Sequence, residues 1–280
     1  TVTIGDAQYI DRLTYDPPTT VQPTTSFFQT LGELQIEWAG DDVFIGDRTN
    51  AQGDSIYGYG GNDRFVMTYS DQYTEKFRGG DGVDTAVFES ASEYWNIRPT
   101  DNAWNTFTQQ GDLVGYNVSD SRFEGTDTYG EFGHVMQIVE VERLEFTDKK
   151  VALDFEQGEN SFKAAALITT MFGSDLIPTY FAPAVDLVDQ GSSVAQIAQL
   201  VIDLGLVDAS SNQQFFSSIY ENVVGVEADP LTQALYVSQL DSGELSQAGL
   251  VAIGANASII ESQMSELATW RESGLDYLGF

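Results

Sequence analysis

An all-β amino-terminal region followed by an all-α helical bundle, in a multidomain chain, is the fold class that the sequence predicts. Three observations carry the prediction. Up to about residue 155, short alternating apolar and polar runs are separated by Gly and Asp turns. Beyond that point the Gly-Asp turns thin out, and apolar residues recur every three or four positions. At 280 residues, with 42% hydrophobic and 12% aromatic side chains, the chain is long enough for two or three domains with buried cores. The texture changes place residues 1–92 in a Gly/Asp-rich strand region, 93–155 in a second β-rich segment and 156–280 in the helices.

In chain order, Asp42-Val43-Phe44-Ile45 and Arg64-Phe65-Val66-Met67 read as short strands bounded by Gly/Asp turns. Tyr94 to Ile97, Leu113 to Val118, His134 to Val141 and Arg143 to Phe146 continue the pattern, with turns at Gly111-Asp112 and Gly125-Thr126-Asp127. The first helical stripe is Ala164, Leu167, Ile168 and Met171; the second is Val194, Ile197, Ala198, Val201 and Ile202. Ser192 or Ser193 caps the second helix and Gly205 ends it. A helix through Phe215, Phe216, Ile219, Tyr220 and Val223 stops near Gly225. Asp229 then serves as an N-cap ahead of Pro230 at the first helical position, before Leu235, Tyr236 and Leu240. A last helix is expected over Leu250 to Leu267. Five to seven helices result.

The charge is lopsided, 43 acids against 12 bases for a net charge of −31. Nucleic-acid phosphates and anionic membrane surfaces would repel such a chain, so neither is expected as a partner. The excess is spread over both halves, −17 in residues 1–155 and −14 in 156–280. Solubility, adaptation to salt and cation binding all produce it, and composition does not choose among them. With no cysteine there are no disulfides, zinc-thiolate sites or thiol chemistry. No apolar run approaches the roughly 18 residues that cross a bilayer, so membrane insertion is not expected. No basic-then-apolar signal segment opens the sequence.

The informative motif is a nine-residue phrase, G-G-x-G-x-D-x-U-x, with U a large apolar residue. Gly58-Tyr59-Gly60-Gly61-Asn62-Asp63-Arg64-Phe65-Val66 fits it with Tyr59 in the second glycine position. Gly79-Gly80-Asp81-Gly82-Val83-Asp84-Thr85-Ala86-Val87 fits it with a small Ala86 in the apolar position. Gly53-Asp54-Ser55-Ile56 and Gly40-Asp41-Asp42-Val43-Phe44 are partial copies. Calcium takes six to eight oxygen ligands. A glycine turn can aim backbone carbonyls inward, the Asp adds a carboxylate, and the apolar residue two places on begins a buried strand. One turn supplies half a shell, and a second turn stacked on it completes the rest. Plain Gly-Asp β-turns in a sheet protein are the competing reading.

These phrases resemble the RTX family of calcium-binding β-roll proteins. The resemblance implies Ca2+ as the bound ion, with Asp63 and Asp84 as side-chain ligands and carbonyls from Gly58, Gly60, Gly79, Asp81 and Gly82. It assigns Asp54 and Asp42 to degenerate turns. Regular rolls run their phrases without gaps, whereas Val66 to Arg78 separates the two best copies here. A short, interrupted β-roll with one to three sites is therefore expected. The stretch Val141-Glu142-Arg143-Leu144-Glu145-Phe146-Thr147-Asp148 is similar to the β-rich cap that ends such rolls and covers their open edge. Glu142 and Arg143 are read as structural ion-pair or turn residues.

The helical region resembles a bundle of unknown function found at the ends of secreted RTX and surface-layer proteins, on the phrase from Phe215 to Pro230 and on through Tyr236, Leu240 and Gly243. Tyr236 stands where that family more often has Trp. Asp276-Tyr277-Leu278-Gly279-Phe280 is similar to the uncleaved signals of type I export, and equally fits a helix end. Together these resemblances imply an extracellular, S-layer-like or surface-associated structural or adhesive protein. Its helical domain would meet a cell-surface polymer, a glycan or another copy of the chain. The alternatives are the export and folding module of a larger secreted enzyme, or a calcium-dependent glycan-binding module. No catalytic site is expected. The chain has no H-E-x-x-H, no G-x-S-x-G and no phosphate-cradling loop, and its single His134 sits in an alternating strand. Trp38, Trp95, Trp104 and Tyr129 fit either a sugar-binding face or core packing.

Overall fold

The computed structural model describes residues 2–3, 12–14, 20–21, 40–45, 55–67, 75–100, 115–123 and 135–278. Strands occupy the first half and helices the second, and the chain forms two units, residues 1–153 with 272–276 and residues 154–271 with 277–280.

The first unit is built from two mixed sheets. Among the described residues one carries nine strands in the order β14 (Leu275–Tyr277), β13 (Lys150–Ala152), β12 (Arg143–Glu145), β8 (Thr85–Phe88), β6 (Arg64–Met67), β4 (Val43–Ile45), β1 (Val2–Thr3), β2 (Arg12–Thr14) and β3 (Thr20–Val21), and the other five in the order β5 (Ser55–Gly60), β7 (Glu75–Asp81), β11 (Val135–Val139), β10 (Gly115–Asp120) and β9 (Trp95–Thr100). The core of both sheets is a stack of four passes, three of them strand–turn–strand and the first described from residue 40 onward. In the first, β4 (Val43–Ile45) follows a turn at residues 40–42. The second is β5 (Ser55–Gly60), a turn at 61–63 and β6 (Arg64–Met67). The third is β7 (Glu75–Asp81), a turn at 82–84 and β8 (Thr85–Phe88). The fourth is β11 (Val135–Val139), a turn at 140–142 and β12 (Arg143–Glu145).

Each pass lies parallel on the one before. Phe44 pairs with Phe65, Phe65 with Ala86 and Ala86 with Leu144, while Ile56 pairs with Phe77 and Phe77 with Ile138. The first three passes keep a constant offset of 21 residues. The repeat that the strands obey is thus 21 residues, with one nine-residue phrase at each bend. Of the stretch from Val66 to Arg78 expected as an interruption, residues 66–67 end β6 and residues 75–78 open β7, and residues 68–74 lie outside the described residues.

Between the third and fourth passes the chain makes an excursion through β9 (Trp95–Thr100) and β10 (Gly115–Asp120). These are antiparallel partners and extend the smaller sheet beyond β11. The segment read as a cap therefore contributes β11 and β12 to the stack itself. Period-two alternation buries Phe44, Phe65, Ala86 and Leu144 from one sheet against Ile56, Phe77 and Ile138 from the other. Phe65 and Phe77 stack at 5.5 Å, and Phe88 packs on Phe146 at 4.9 Å and on Trp95 at 4.5 Å. Trp95 is 8% exposed and its indole donates to Ser90 Oγ, so it belongs to the core and lines no sugar-binding face.

The second unit is helical. Its central helix α1 (Asn160–Phe172) buries ten residues and packs against α2 (Ile177–Asp189) and α4 (Asn212–Val224). Ser193 caps α3 (Val194–Asp203) through a capping box with Gln196, and Gly205, at φ 67°, follows its end. Asp229 caps α5 (Pro230–Ser242), accepting from the amides of Leu231 and Thr232. The single helix expected over Leu250 to Leu267 is divided. Ser246 starts α6 (Gln247–Ala255), Asn256 ends it by donating to its own helix at Ala252 O, and α7 (Leu267–Ser273) follows a 3-10 segment, Ser258–Gln263. No helix among the described residues is long and apolar enough to cross a membrane.

Candidate metal centre

The bends of the β unit place one carboxylate per pass in a column. Asp42 N donates to Asp63 Oδ1 at 2.8 Å, Asp63 N donates to Asp84 Oδ1 at 2.8 Å, and Asp84 N donates to Glu142 Oε2 at 2.7 Å. Asp63, Asp84 and Glu142 thus each spend one oxygen on the backbone of the preceding bend. A second, more exposed column runs beside it, with Asn62 N donating to Asp41 Oδ1 and Val83 N to Asn62 Oδ1. Glycine makes the bends possible, since Gly61 and Gly82 adopt φ of 118° and 140° and have backbone of the neighbouring pass against their Cα.

The other oxygens of the inner column are left over. Asp63 and Asp84 are 0% exposed, and Oδ2 of each has no hydrogen-bond partner among the described residues. Each faces a glycine Cα and a carbonyl of the next pass. A Cβ built on Gly58 would overlap Asp63 Oδ2 and would lie 2.5 Å from Gly79 O. A Cβ on Gly79 would overlap both Asp84 Oδ2 and Glu140 O. The molecule therefore holds two small cradles of the same design, each a buried carboxylate oxygen beside a carbonyl oxygen, kept open by a missing side chain. A buried carboxylate oxygen without a donor is costly, and a cation or a proton beside it removes that cost.

Electrostatics follow from that burial. Loss of solvation pushes the Asp63 carboxyl up to about 8, helped by the nearby Asp84, Asp42 and Asp41 carboxylates and opposed by the hydrogen bond from Asp42 N. Burial likewise raises Asp84 to about 7, with Glu140, Asp41 and Asp81 adding to it and the amide of Asp63 opposing. Asp42, 7% exposed, is raised by burial as well.

The structure brings together Asp63, Asp84, Asp42, Gly58 and Gly79 of the expected ligand set. Gly58 contributes the space, and Gly79 contributes both space and a carbonyl. Gly60 pairs with Asp81 in the strand ladder, Asp81 O accepts from Gly61 N, and the Asp81 side chain and Gly82 are exposed. Asp54 lies outside the described residues, as do His134, Trp38, Trp104 and Tyr129. Two participants were not anticipated as donors. Glu140 supplies the second cradle's carbonyl from φ 51°, where the earlier bends use glycine, and Glu142 takes the aspartate's place in the column.

Among the described residues no three His, Cys, Asp or Glu side chains gather as metal ligands. The donors that do converge in each cradle are one carboxylate oxygen and one backbone carbonyl. An all-oxygen set of this kind fits a hard cation, and the irregular carbonyl geometry suits calcium better than magnesium, which demands a near-ideal octahedron and retains its waters. The orphaned oxygens and the spaces a Cβ would fill are therefore compatible with calcium. Comparison of the sequence with protein-family models and with curated proteins gave no match.

Proposed function

We propose that this chain is a secreted, calcium-binding structural or adhesive protein without catalysis of its own, whose β unit is a β-roll of RTX type that folds on meeting calcium outside the cell. The observation that carries the reading is the pair of fully buried, unpartnered carboxylate oxygens, Asp63 Oδ2 and Asp84 Oδ2, each beside a carbonyl of the adjoining pass. Asp63 with Gly79 O, and Asp84 with Glu140 O, would hold the ions. Bound calcium supplies positive charge that turns repulsion among stacked acceptors into attraction.

The chain's own residues do the rest. The amides of Asp42 and Asp63 fix Oδ1 of Asp63 and Asp84, so Oδ2 of each is aimed before any ion arrives. At the low calcium of a cytosol, uncompensated buried acids oppose folding and favour a threadable chain. At extracellular calcium, binding adds directly to folding free energy. This logic matches the type I export route and an S-layer-like or surface-associated location. Attachment to a surface polymer, a glycan or a second copy is assigned to the helical unit, where α5 buries only Leu240 and leaves Leu231 and Leu235 exposed.

The test is thermal melting of the full chain, with calcium titrated by isothermal calorimetry. Saturating two sites at one hundred times their Kd adds about 5 kcal/mol, or roughly 10–20 °C in the Tm of the β unit. Asp63→Ala with Asp84→Ala removes that increment. A melting curve and strand signal indifferent to both calcium and EDTA would sink the reading.

A further inference from the structure

We propose that the outer face of the smaller sheet carries a sugar-binding notch, built by Tyr57, Tyr59, Arg78 and Glu140, that takes the flat, equatorially hydroxylated ring of a neutral β-glucan. The notch goes beyond the calcium reading and does not depend on it. Two strained residues point to it. Among the described residues, Tyr59 at φ 71° and Glu140 at φ 51° are the non-glycine residues with a left-handed backbone, a conformation that a Cβ makes costly. Tyr59 pairs with Gly80, which fills the equivalent place one pass later at φ 114°. Glycine would serve both strained places without penalty, and it would supply the same carbonyl that Glu140 lends to the second cradle. The turns alone therefore give no reason for a tyrosine and a glutamate side chain.

Both side chains converge on Arg78. Ile56 and Phe77 are buried in the core, so the alternation of β5 and β7 turns Tyr57, Tyr59 and Arg78 to the opposite face. The rings of Tyr57 and Tyr59 lie 5.9 Å apart and 25° from parallel, and Arg78 interacts electrostatically with both phenols. Arg78 Nε and Nη2 donate to the Glu140 carboxylate at 2.6 and 2.9 Å, and the two side chains stay 30% and 39% exposed. Tyr59 stands on one side of β7 and Glu140 on the other, two strand spacings or about 10 Å apart. Gly80 between them carries no side chain, pairing with Tyr59 and donating to Glu140 O. Half-exposed tyrosine rings suit the C–H face of a pyranose. The planar guanidinium–carboxylate pair sets donors beside acceptors, the match for two vicinal hydroxyls. Arg78 and Glu140 cancel in charge, and a chain of −31 repels acidic sugars, so the notch favours a neutral one.

Saturation-transfer NMR of the full chain in calcium chloride, with cellotetraose as the probe, tests the notch. In the native protein, transfer should be strongest to the axial ring protons of the glucose units, which form the C–H face that meets the tyrosines. Tyr59→Gly restores the residue that the turn prefers, so it should melt no lower than the native chain while binding cellotetraose about tenfold more weakly. Arg78→Met keeps the aliphatic stem without the donors and should weaken binding to a similar degree; this variant carries the test if Tyr59→Gly does not fold. The notch is overturned if the native chain shows no transfer to cellotetraose, or if either variant binds it like the native chain. It is also overturned if Tyr59→Gly melts lower, which would make the ring a packing group, or if an oligogalacturonate binds more tightly than cellotetraose. None of these results bears on calcium uptake, which calorimetry follows separately.

Discussion

Replacing Asp63 by Asn should change stability in opposite directions with and without calcium. The variant keeps Oδ1 to accept from Asp42 N and exchanges the orphaned Oδ2 for an amide that can donate toward Gly79 O. In EDTA, burial holds the native carboxyl at about 8 against an ordinary value of 3.8. The folded state therefore binds the proton more tightly than the unfolded one. Its contribution is complete below about pH 4 and is lost progressively as pH rises through 8. The full gap corresponds to roughly 6 kcal/mol at about 1.4 kcal/mol per unit, and local relaxation and water entry reduce it to about 2–3 kcal/mol. Metal-free Asp63→Asn at pH 9 should accordingly be the more stable protein, by about 1 M in urea midpoint if the slope is near 2 kcal/mol/M. With calcium at a thousandfold excess over Kd, the native protein gains about 4.1 kcal/mol that the variant forgoes, and the order reverses. The assay is urea denaturation followed by the strand signal, from pH 4 to 9, in EDTA and in calcium. An equal change in both buffers, of either sign, would show that Asp63 only joins the bends and refute the cation cradle. A metal-free native protein whose stability does not fall between pH 4 and 8 would refute the electrostatic premise.

Other perturbations separate the cradle from the scaffold. Gly58→Ala places a methyl group against Asp63 Oδ2 and the Gly79 carbonyl, so it should remove one equivalent of calcium in calorimetry and lower the calcium-loaded Tm without changing net charge. Phe65→Ala empties the stack beside Phe77 and should cost about 3–5 kcal/mol in urea denaturation, alike in calcium and in EDTA. Asp229→Ala removes the cap that accepts from Leu231 N and Thr232 N, and should cost about 1 kcal/mol in the helical unit's transition with no calcium dependence.

Much of this was legible in the residues, for reasons that differ by element. The strands over 43–45 and 64–67 and the caps at Ser193 and Asp229 follow from local rules, alternation and side-chain-to-amide bonding, which need no knowledge of the rest of the chain. The 21-residue period was missed because the nine-residue phrase covers only the bend. Its signal is nonetheless in the sequence. Gly40, Gly61 and Gly82 recur with Asp42, Asp63 and Asp84, and Phe44, Phe65 and Ala86 follow at the same spacing. Glu140 and Glu142 were harder to see as members of the stack. The excursion through β9 and β10 breaks the spacing, and glutamate replaces the glycine and the aspartate. The only trace is shape, an acid at Glu142 two residues before the buried Leu144, as Asp63 stands before Phe65.

The column explains why a carboxylate at each bend is a physical commitment and not simply an acidic surface. An asparagine or serine could accept the amide of a neighbouring bend equally well, as Asn62 does from Val83 of the following bend in the outer column. Charge adds nothing to that hydrogen bond that would offset burying two neighbouring anions at 0% exposure with Oδ2 unpartnered. The inner column nevertheless uses Asp, Asp, Asp and Glu, where the outer one tolerates Asp, Asn and Val. An arrangement that is penalised when empty and rewarded when a cation enters makes folding conditional on the ion. If the inner column served only to join the bends, changing all four acids to their amides would improve the protein under every condition. If it serves calcium, the same change should improve it only where calcium is absent.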